Sequence, residues 1–164
     1  MEGSCQVLAS SPQFANLILH GFCDASLKAY GACIYIVSKE KGGLAKSALL
    51  CAKSRVTPMK SKTLPRLELC SCVLLAQLSA KVQEMLALRF KRVFLWSDSK
   101  IALSWLNTSS KLIVSKNYLY ITRRVATIAE LTNTSHWNHV ASNENPADLL
   151  TRGVSSSKLS TSSL

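Results

Sequence analysis

Midway along the chain the spacing of apolar residues changes, and that change limits the fold more than any other feature. Before Pro58 they come in three strand-length runs. LILHGFCD (Leu17–Asp24) ends on an acid, ACIYIVSK (Ala32–Lys39) is almost continuously apolar, and LAKSALLCAKSRV (Leu44–Val56) follows a turn at EKGG. Such runs, joined by short turns, predict an antiparallel meander whose second strand is covered on both faces. After Pro65, Leu67, Cys70, Leu74, Leu78, Val82 and Met85 recur every three or four positions. That spacing predicts a helix with Pro65 in its first turn. Leu69, Cys72, Val73 and Ala76 make its first half apolar almost all round, so this half packs on more than one side.

Beyond the helix, KRVFLWSDS predicts a strand that again ends on an aspartate, and SKIALSWLN a short helix opening at Ser97 to Ser99. A helix from Tyr118 to Leu131, a fifth strand at SHWNHVA and a last helix at NPADLLTR, with Pro146 near its start, complete the order. The result is an α/β chain: one mixed sheet with helices on both faces. A length of 164 residues suits one domain. We place it at residues 17–153, after a weakly patterned lead-in (1–16) and before a serine-rich tail (154–164) expected to be mobile.

Charge narrows the class. Twenty Lys and Arg face nine Asp and Glu, a formal +11, which points to an anionic partner such as nucleic acid or an acidic membrane surface. An apolar fraction of 48% excludes a wholly disordered chain. No uninterrupted apolar run approaches the ~18 residues that span a bilayer, so no membrane association is expected. Six cysteines (Cys5, Cys23, Cys33, Cys51, Cys70, Cys72) lack both a preceding secretory signal and zinc-ligand spacing. The expectation is reduced core thiols in an intracellular, non-secreted chain.

The acids are few, and all three aspartates fall at element ends. Asp24 and Asp98 close strands, Glu68 opens the long helix, and Asp148 opens the last one. Parallel strands deliver their carboxyl ends to one sheet edge, where ligands bind, so the four carboxylates could converge there. Singly, each has an ordinary explanation as a turn, cap or helix-dipole residue. Together they would repel unless cations intervene. Two Mg²⁺ ions roughly 3.5–4 Å apart are suited to oxygen ligands and to in-line phosphoryl displacement. An acidic metal cleft in a basic protein is what a nuclease needs.

HGFCDAS, TLPRLEL, VFLWSDS and HVASNENPADLLTRG, in that order, resemble the ribonuclease H segment of Bel/Pao long-terminal-repeat retrotransposon polyproteins. Spacings of 44 residues from Asp24 to Glu68, 30 to Asp98 and 50 to Asp148 are compatible with it. The resemblance implies the three-layer ribonuclease H-like fold, with three antiparallel strands then two parallel ones in a five-stranded sheet. It implies hydrolysis of the RNA strand of RNA–DNA hybrids with two Mg²⁺ ions (Mn²⁺ as a substitute), leaving 3′-hydroxyl and 5′-phosphate ends. Asp24, Glu68, Asp98 and Asp148 match the family's four acids: Asp24 would bridge the metals, Glu68 and Asp98 complete one site and Asp148 the other. It also implies reverse transcriptase and integrase parts of a parent polyprotein as partners, and residence in a cytoplasmic retroelement particle. In such elements the segment lies inside a long polyprotein. Here it starts at a methionine and stops soon after the NPAD stretch, as an isolated remnant would.

His139 stands nine residues before Asp148. Two roles are open to it: the product-release assist that many ribonucleases H place there, and a partly buried structural histidine of the fifth strand, which its position favours. His20 and His136 are expected to be structural. Substrate contacts are expected around Ser26, at Arg66, at the helix opening Ser99–Lys100 where N–H groups can face a phosphate, and at the basic pair Arg123 and Arg124. Trp96, Trp105 and Trp137 are expected to pack on the sheet. Two rivals to the nuclease remain: an inactive remnant that binds nucleic acid through its charge, and an integrase-like strand-transfer domain. The second normally uses three acids rather than four.

Overall fold

A computed structural model of the chain describes residues 17–38, 45–58, 63–86, 90–108 and 119–152. The expected lead-in, the EKGG turn, the serine-rich tail, Tyr118 and Cys5 lie outside the described residues. Five strands form one sheet: β1 (Leu17–Ala25), β2 (Ala29–Ser38), β3 (Lys46–Val56), β4 (Arg92–Ser97) and β5 (Trp137–His139). The order across it is β3-β2-β1-β4-β5. β1 pairs antiparallel with β2, and β2 with β3. β4 is parallel to both β1 and β5. This is the expected mixed sheet, three antiparallel strands then two parallel.

The helices are α1 (Leu64–Leu86), α2 (Lys100–Asn107), α3 (Leu119–Leu131) and α4 (Asp148–Arg152). α1 is long and apolar enough to cross a membrane, yet it is the core helix of this sheet. It lies over β1 and β2 and also packs on α3 and α2, which is why its first half is apolar all round. Leu69, Cys72, Leu75 and Ala76 meet Leu19, Cys23, Ile34 and Leu95 in one cluster. Burying each large aliphatic side chain contributes about 1.5–3 kcal/mol. Ser71 and Ser79, fully buried in α1, are satisfied by the Glu68 carbonyl (2.7 Å) and by Gln83 (3.1 Å).

The opposite face is thinner. Phe22, Cys33, Tyr35 and Ala147 form a second cluster there with Leu49, Trp96, Val140 and Leu150. Side chains alternate across a strand, so Leu19, Gly21 and Cys23 face α1 while His20, Phe22 and Asp24 face α4. Two glycines allow the close approaches. A Cβ at Gly21 would stand 2.6 Å from Leu75 Cδ1, and one at Gly31 would stand 2.9 Å from Leu150 Cβ.

Several details depart from expectation. α1 begins at Leu64, and the Thr63 carbonyl accepts from the N–H groups of Arg66 and Leu67. Glu68 therefore lies in the second turn rather than opening the helix, beyond the reach of the dipole effect. β5 is only three residues long and follows a 3₁₀ turn at Thr134–His136. The last helix starts at Asp148, after a turn at Pro146 and Ala147. Cys23, Cys33, Cys51, Cys70 and Cys72 are free thiols, and all but the half-buried Cys51 are buried. Burial pushes the Cys33 thiol well up, as suits an inert core residue.

Candidate active site

β1 and β4 run parallel as direct neighbours, with Cys23 opposite Ser97. The residues that follow, Asp24 and Asp98, therefore stand side by side at the carboxyl edge. Asp24 is 8% exposed. Its carboxyl is held above the ordinary range by burial first, and further by the charges of Asp98 and Asp148; hydrogen bonds from Thr151 and the Ala25 backbone offset part of this. Asp24 thus feels the charge of two of the other three expected acids.

Glu68 joins them through Ser99. The Ser99 hydroxyl donates to Glu68 Oε2 at 2.5 Å and accepts from the Ala102 N–H at 3.1 Å, capping α2. One side chain therefore starts the helix after Asp98 and ties the α1 carboxylate to that point. Asp98 accepts from the Ser142 hydroxyl at 2.8 Å.

Asp148 arrives from the far end of the chain, and its segment is anchored despite the shortness of α4. The buried Asn145 donates to the Cys23 carbonyl at 3.0 Å and accepts from the Ala147 N–H at 3.1 Å. The buried Thr151 donates to Asp24 Oδ2 at 2.5 Å, and its carbonyl accepts from Ser26 Oγ at 3.1 Å. Asp148 itself pairs with Arg152 Nε at 2.8 Å.

A set of four carboxylates, one of them buried and crowded by two others, offers the hard oxygen donors that Mg²⁺ or Mn²⁺ takes. In donor chemistry these residues suit divalent cations. Among the described residues, however, no three His, Cys, Asp or Glu side chains are grouped as an ion would require. Each carboxylate instead accepts a bond from a protein donor: Thr151, Ser99, Ser142 or Arg152.

The expected substrate contacts divide. Ser26 organises the β1–β2 turn, accepting from the N–H groups of Lys28 (3.1 Å) and Ala29 (3.2 Å). The Ser99 hydroxyl is spent on Glu68 and Ala102, and its N–H donates to Ser97 Oγ at 3.2 Å. Lys100 and Arg123 are exposed. Arg66 and Arg124 come together over Tyr120, their guanidinium carbons 5.3 Å and 3.4 Å from its ring centroid. The Tyr120 hydroxyl meets Cys70 Sγ at 3.0 Å, and burial, helped by Cys70, pushes it up to about 12. His139 is exposed at the end of β5, opposite Ser97, rather than partly buried. With only three residues in β5, the strand ends before anything covers it. His20 is structural as expected: its Nδ1 accepts from Trp96 Nε1 at 3.1 Å, and burial lowers its pKa. Trp96 stacks in that aromatic group on the sheet, while Trp105 and Trp137 pack against the main core.

Thr151, Asn145, Ser99, Ser142 and Tyr120 were not singled out as site partners from sequence, except Ser99 in a different role. The one available signal was their place within a few residues of an acid or arginine.

A family model described as the Pao retrotransposon-like RNaseH-like domain matches residues 6–99, more than half the chain. It takes in Asp24, Glu68 and Asp98 and stops short of Asp148. In backbone, LC9-RNase H1, a type 1 RNase H with the type 2 active-site motif, is similar at TM-score 0.55 and 14% identity, covering 84% of this chain and 69% of that one. The RNase H domain of Rv2228c from Mycobacterium tuberculosis gives 0.48 at 11%, covering 84% and 91%. RNase H1 of the halophilic archaeon Halobacterium salinarum NRC-1 gives 0.47 at 14%, covering 84% and 96%. Identities this low speak to fold alone, and the fold is ribonuclease H-like. Curated protein sequences give no match.

Proposed function

The chain belongs to the Pao retrotransposon-like RNaseH-like domain family, and from that membership we propose that it is a metal-dependent endonuclease cutting the RNA strand of RNA–DNA hybrids. The observation that carries this is that Asp24 and Asp98 follow paired positions of the neighbouring parallel strands β1 and β4, while the helix that begins at Asp148 is tied to Asp24 through Thr151. Asp24, Glu68, Asp98 and Asp148 would hold two divalent ions, Mg²⁺ or Mn²⁺. Bound there, the ions would supply charge stabilisation for in-line displacement at a phosphodiester, with 5′-phosphate and 3′-hydroxyl products.

The protein's own groups prepare that site. Ser99 holds Glu68 at the start of α2, Ser142 orients Asp98, and Asn145 with Thr151 brings Asp148 to the end of β1. Arg66, Arg124 and Tyr120 form a cationic platform from α1 to α3 that would hold the phosphate backbone, with Lys100 and Arg123 adding charge. The exposed His139 stands at the edge where it could assist product departure. We also propose that the domain works beside polymerase and integrase parts of a polyprotein within an intracellular retroelement particle.

A second possibility, a nucleic-acid-binding remnant without catalysis, is favoured by one observation: all four carboxylates are engaged by protein donors. An RNA–DNA hybrid labelled on either strand separates the two. The nuclease cuts the RNA strand with Mg²⁺ and stops with chelator. The remnant binds the hybrid, steeply weakened by salt, and cuts neither strand.

A further inference from the structure

α4 is five residues long, yet it carries one acid of the proposed site and a hydroxyl that touches another. We infer that Thr151 is a positioning residue that sets the orientation of the Asp24 carboxylate for cation binding. The inference rests on the metal-dependent function proposed above.

Thr151 is 3% exposed, and its Oγ1 lies 2.5 Å from Asp24 Oδ2 and 3.0 Å from the Asp148 carbonyl. A threonine hydroxyl has one proton to give. The nearer acceptor is the carboxylate, and bonds to ionised acceptors are the shorter and stronger ones. The proton therefore goes to Asp24, and the Asp148 carbonyl is left to the helix. The backbone of the same residue is held from the other side, its carbonyl accepting from Ser26 Oγ at 3.1 Å. Leu150 packs over Gly31, the cross-strand partner of Asp24, where no side chain intervenes. The backbone that carries Thr151 thus cannot withdraw without undocking the helix. Because Asp148 sits three residues earlier in that helix, one hydroxyl relates two acids contributed by opposite ends of the chain. An outer partner fixing a metal-binding carboxylate typically changes metal affinity by about 10–100-fold when removed.

Thr151→Val keeps the buried shape and loses the donor; Thr151→Ser keeps the donor and loses a buried methyl. Mn²⁺ binding to the whole chain is measured by calorimetry beside thermal melting. The expected result is that both variants melt earlier, Val for the bond lost from a buried carboxylate and Ser for the lost methyl, while only Val binds Mn²⁺ about tenfold or more weaker and Ser binds like the parent. If Val binds as tightly as the parent, or if both variants lose affinity in step with their melting temperatures, Thr151 only docks the helix and the inference is wrong. If the parent binds no Mn²⁺, or Asp24→Asn binds it equally well, the metal-dependent function itself fails and takes this role with it.

Discussion

Gly31→Ala isolates the approach of α4 to the site. The added Cβ would meet Leu150 Cβ at 2.9 Å, Leu150 Cδ1 at 3.3 Å and the Lys53 carbonyl at 3.3 Å. The nearest atom belongs to the stem of Leu150, so a rotamer change does not relieve the contact and α4 itself must retreat. Restoring ordinary carbon–carbon contact of about 3.5–4.0 Å needs a shift of roughly 0.5–1 Å. Overpacking of this kind costs about 1–3 kcal/mol, or about 2–4 °C of melting temperature per kcal/mol for a domain of this size. The catalytic effect is expected to be larger, because the same retreat moves Asp148 and draws Thr151 from Asp24. A misplacement near 1 Å can cost about 10²-fold in rate. Gly21→Ala is the companion: its Cβ comes even closer to Leu75, at 2.6 Å, but meets the flexible Cδ1 end on the other face of the sheet. Melting and hybrid cleavage of both variants, with cleavage expressed per folded molecule, test the point. Gly31→Ala loses cleavage out of proportion to stability, and Gly21→Ala loses stability alone. Equal loss of cleavage in the two, or full activity in Gly31→Ala, would refute the placement of α4 as the carrier of Asp148.

Other perturbations probe the remaining contacts. Asp24 carries a raised pKa in the folded protein, so ionising it costs stability that is absent below the unfolded carboxylate range and fully felt above the folded value. Without divalent ions, Asp24→Asn should therefore melt higher than the parent at pH 7 and the same near pH 3; a variant that melts lower at pH 7 contradicts the burial and crowding described. Ser99→Ala removes the α2 cap, at about 1 kcal/mol, and also frees Glu68. Its cleavage should fall further than its melting temperature implies, whereas Ser99→Thr restores both.

The sheet and its long helix were legible because they depend on periodicity. Strand-length runs up to Val56 and the three-to-four spacing after Pro65 survive any detail of packing, and both are present as expected. Pro65 lies in the first turn of α1 as expected, but the Thr63 carbonyl already begins the hydrogen-bonding there, so Glu68 falls a turn inside the helix instead of opening it. The fifth strand was legible in SHWNHVA, but only Trp137–His139 of it pairs, because Thr134–His136 forms a 3₁₀ turn. The three aspartates stand at element ends as read, but what holds them was not legible. The Thr151–Asp24 bond spans 127 positions and the Asn145–Cys23 bond 122, and hydroxyls and amides have no periodic signature that points across such distances. Tyr120 gathers Arg66 and Arg124 for the same reason: α1 and α3 pack together, and the sequence separates them by a long interval.

The central claim is that the edge formed by β1 and β4 is a working nuclease centre, and Asp98 is its most direct probe. Asp98, half-buried just beyond β4, accepts from the Ser142 hydroxyl, a neutral donor that an asparagine Oδ1 can also accept, so Asp98→Asn should leave the fold intact. Cleavage of an RNA–DNA hybrid labelled on the RNA strand, with Mg²⁺, is compared between the parent and this variant at matched concentration. Metal-assisted charge stabilisation is worth several kcal/mol and each 1.36 kcal/mol is tenfold in rate, so the variant should lose about a hundredfold or more. Cleavage by Asp98→Asn at the parent rate, or none by the parent itself, would contradict the claim.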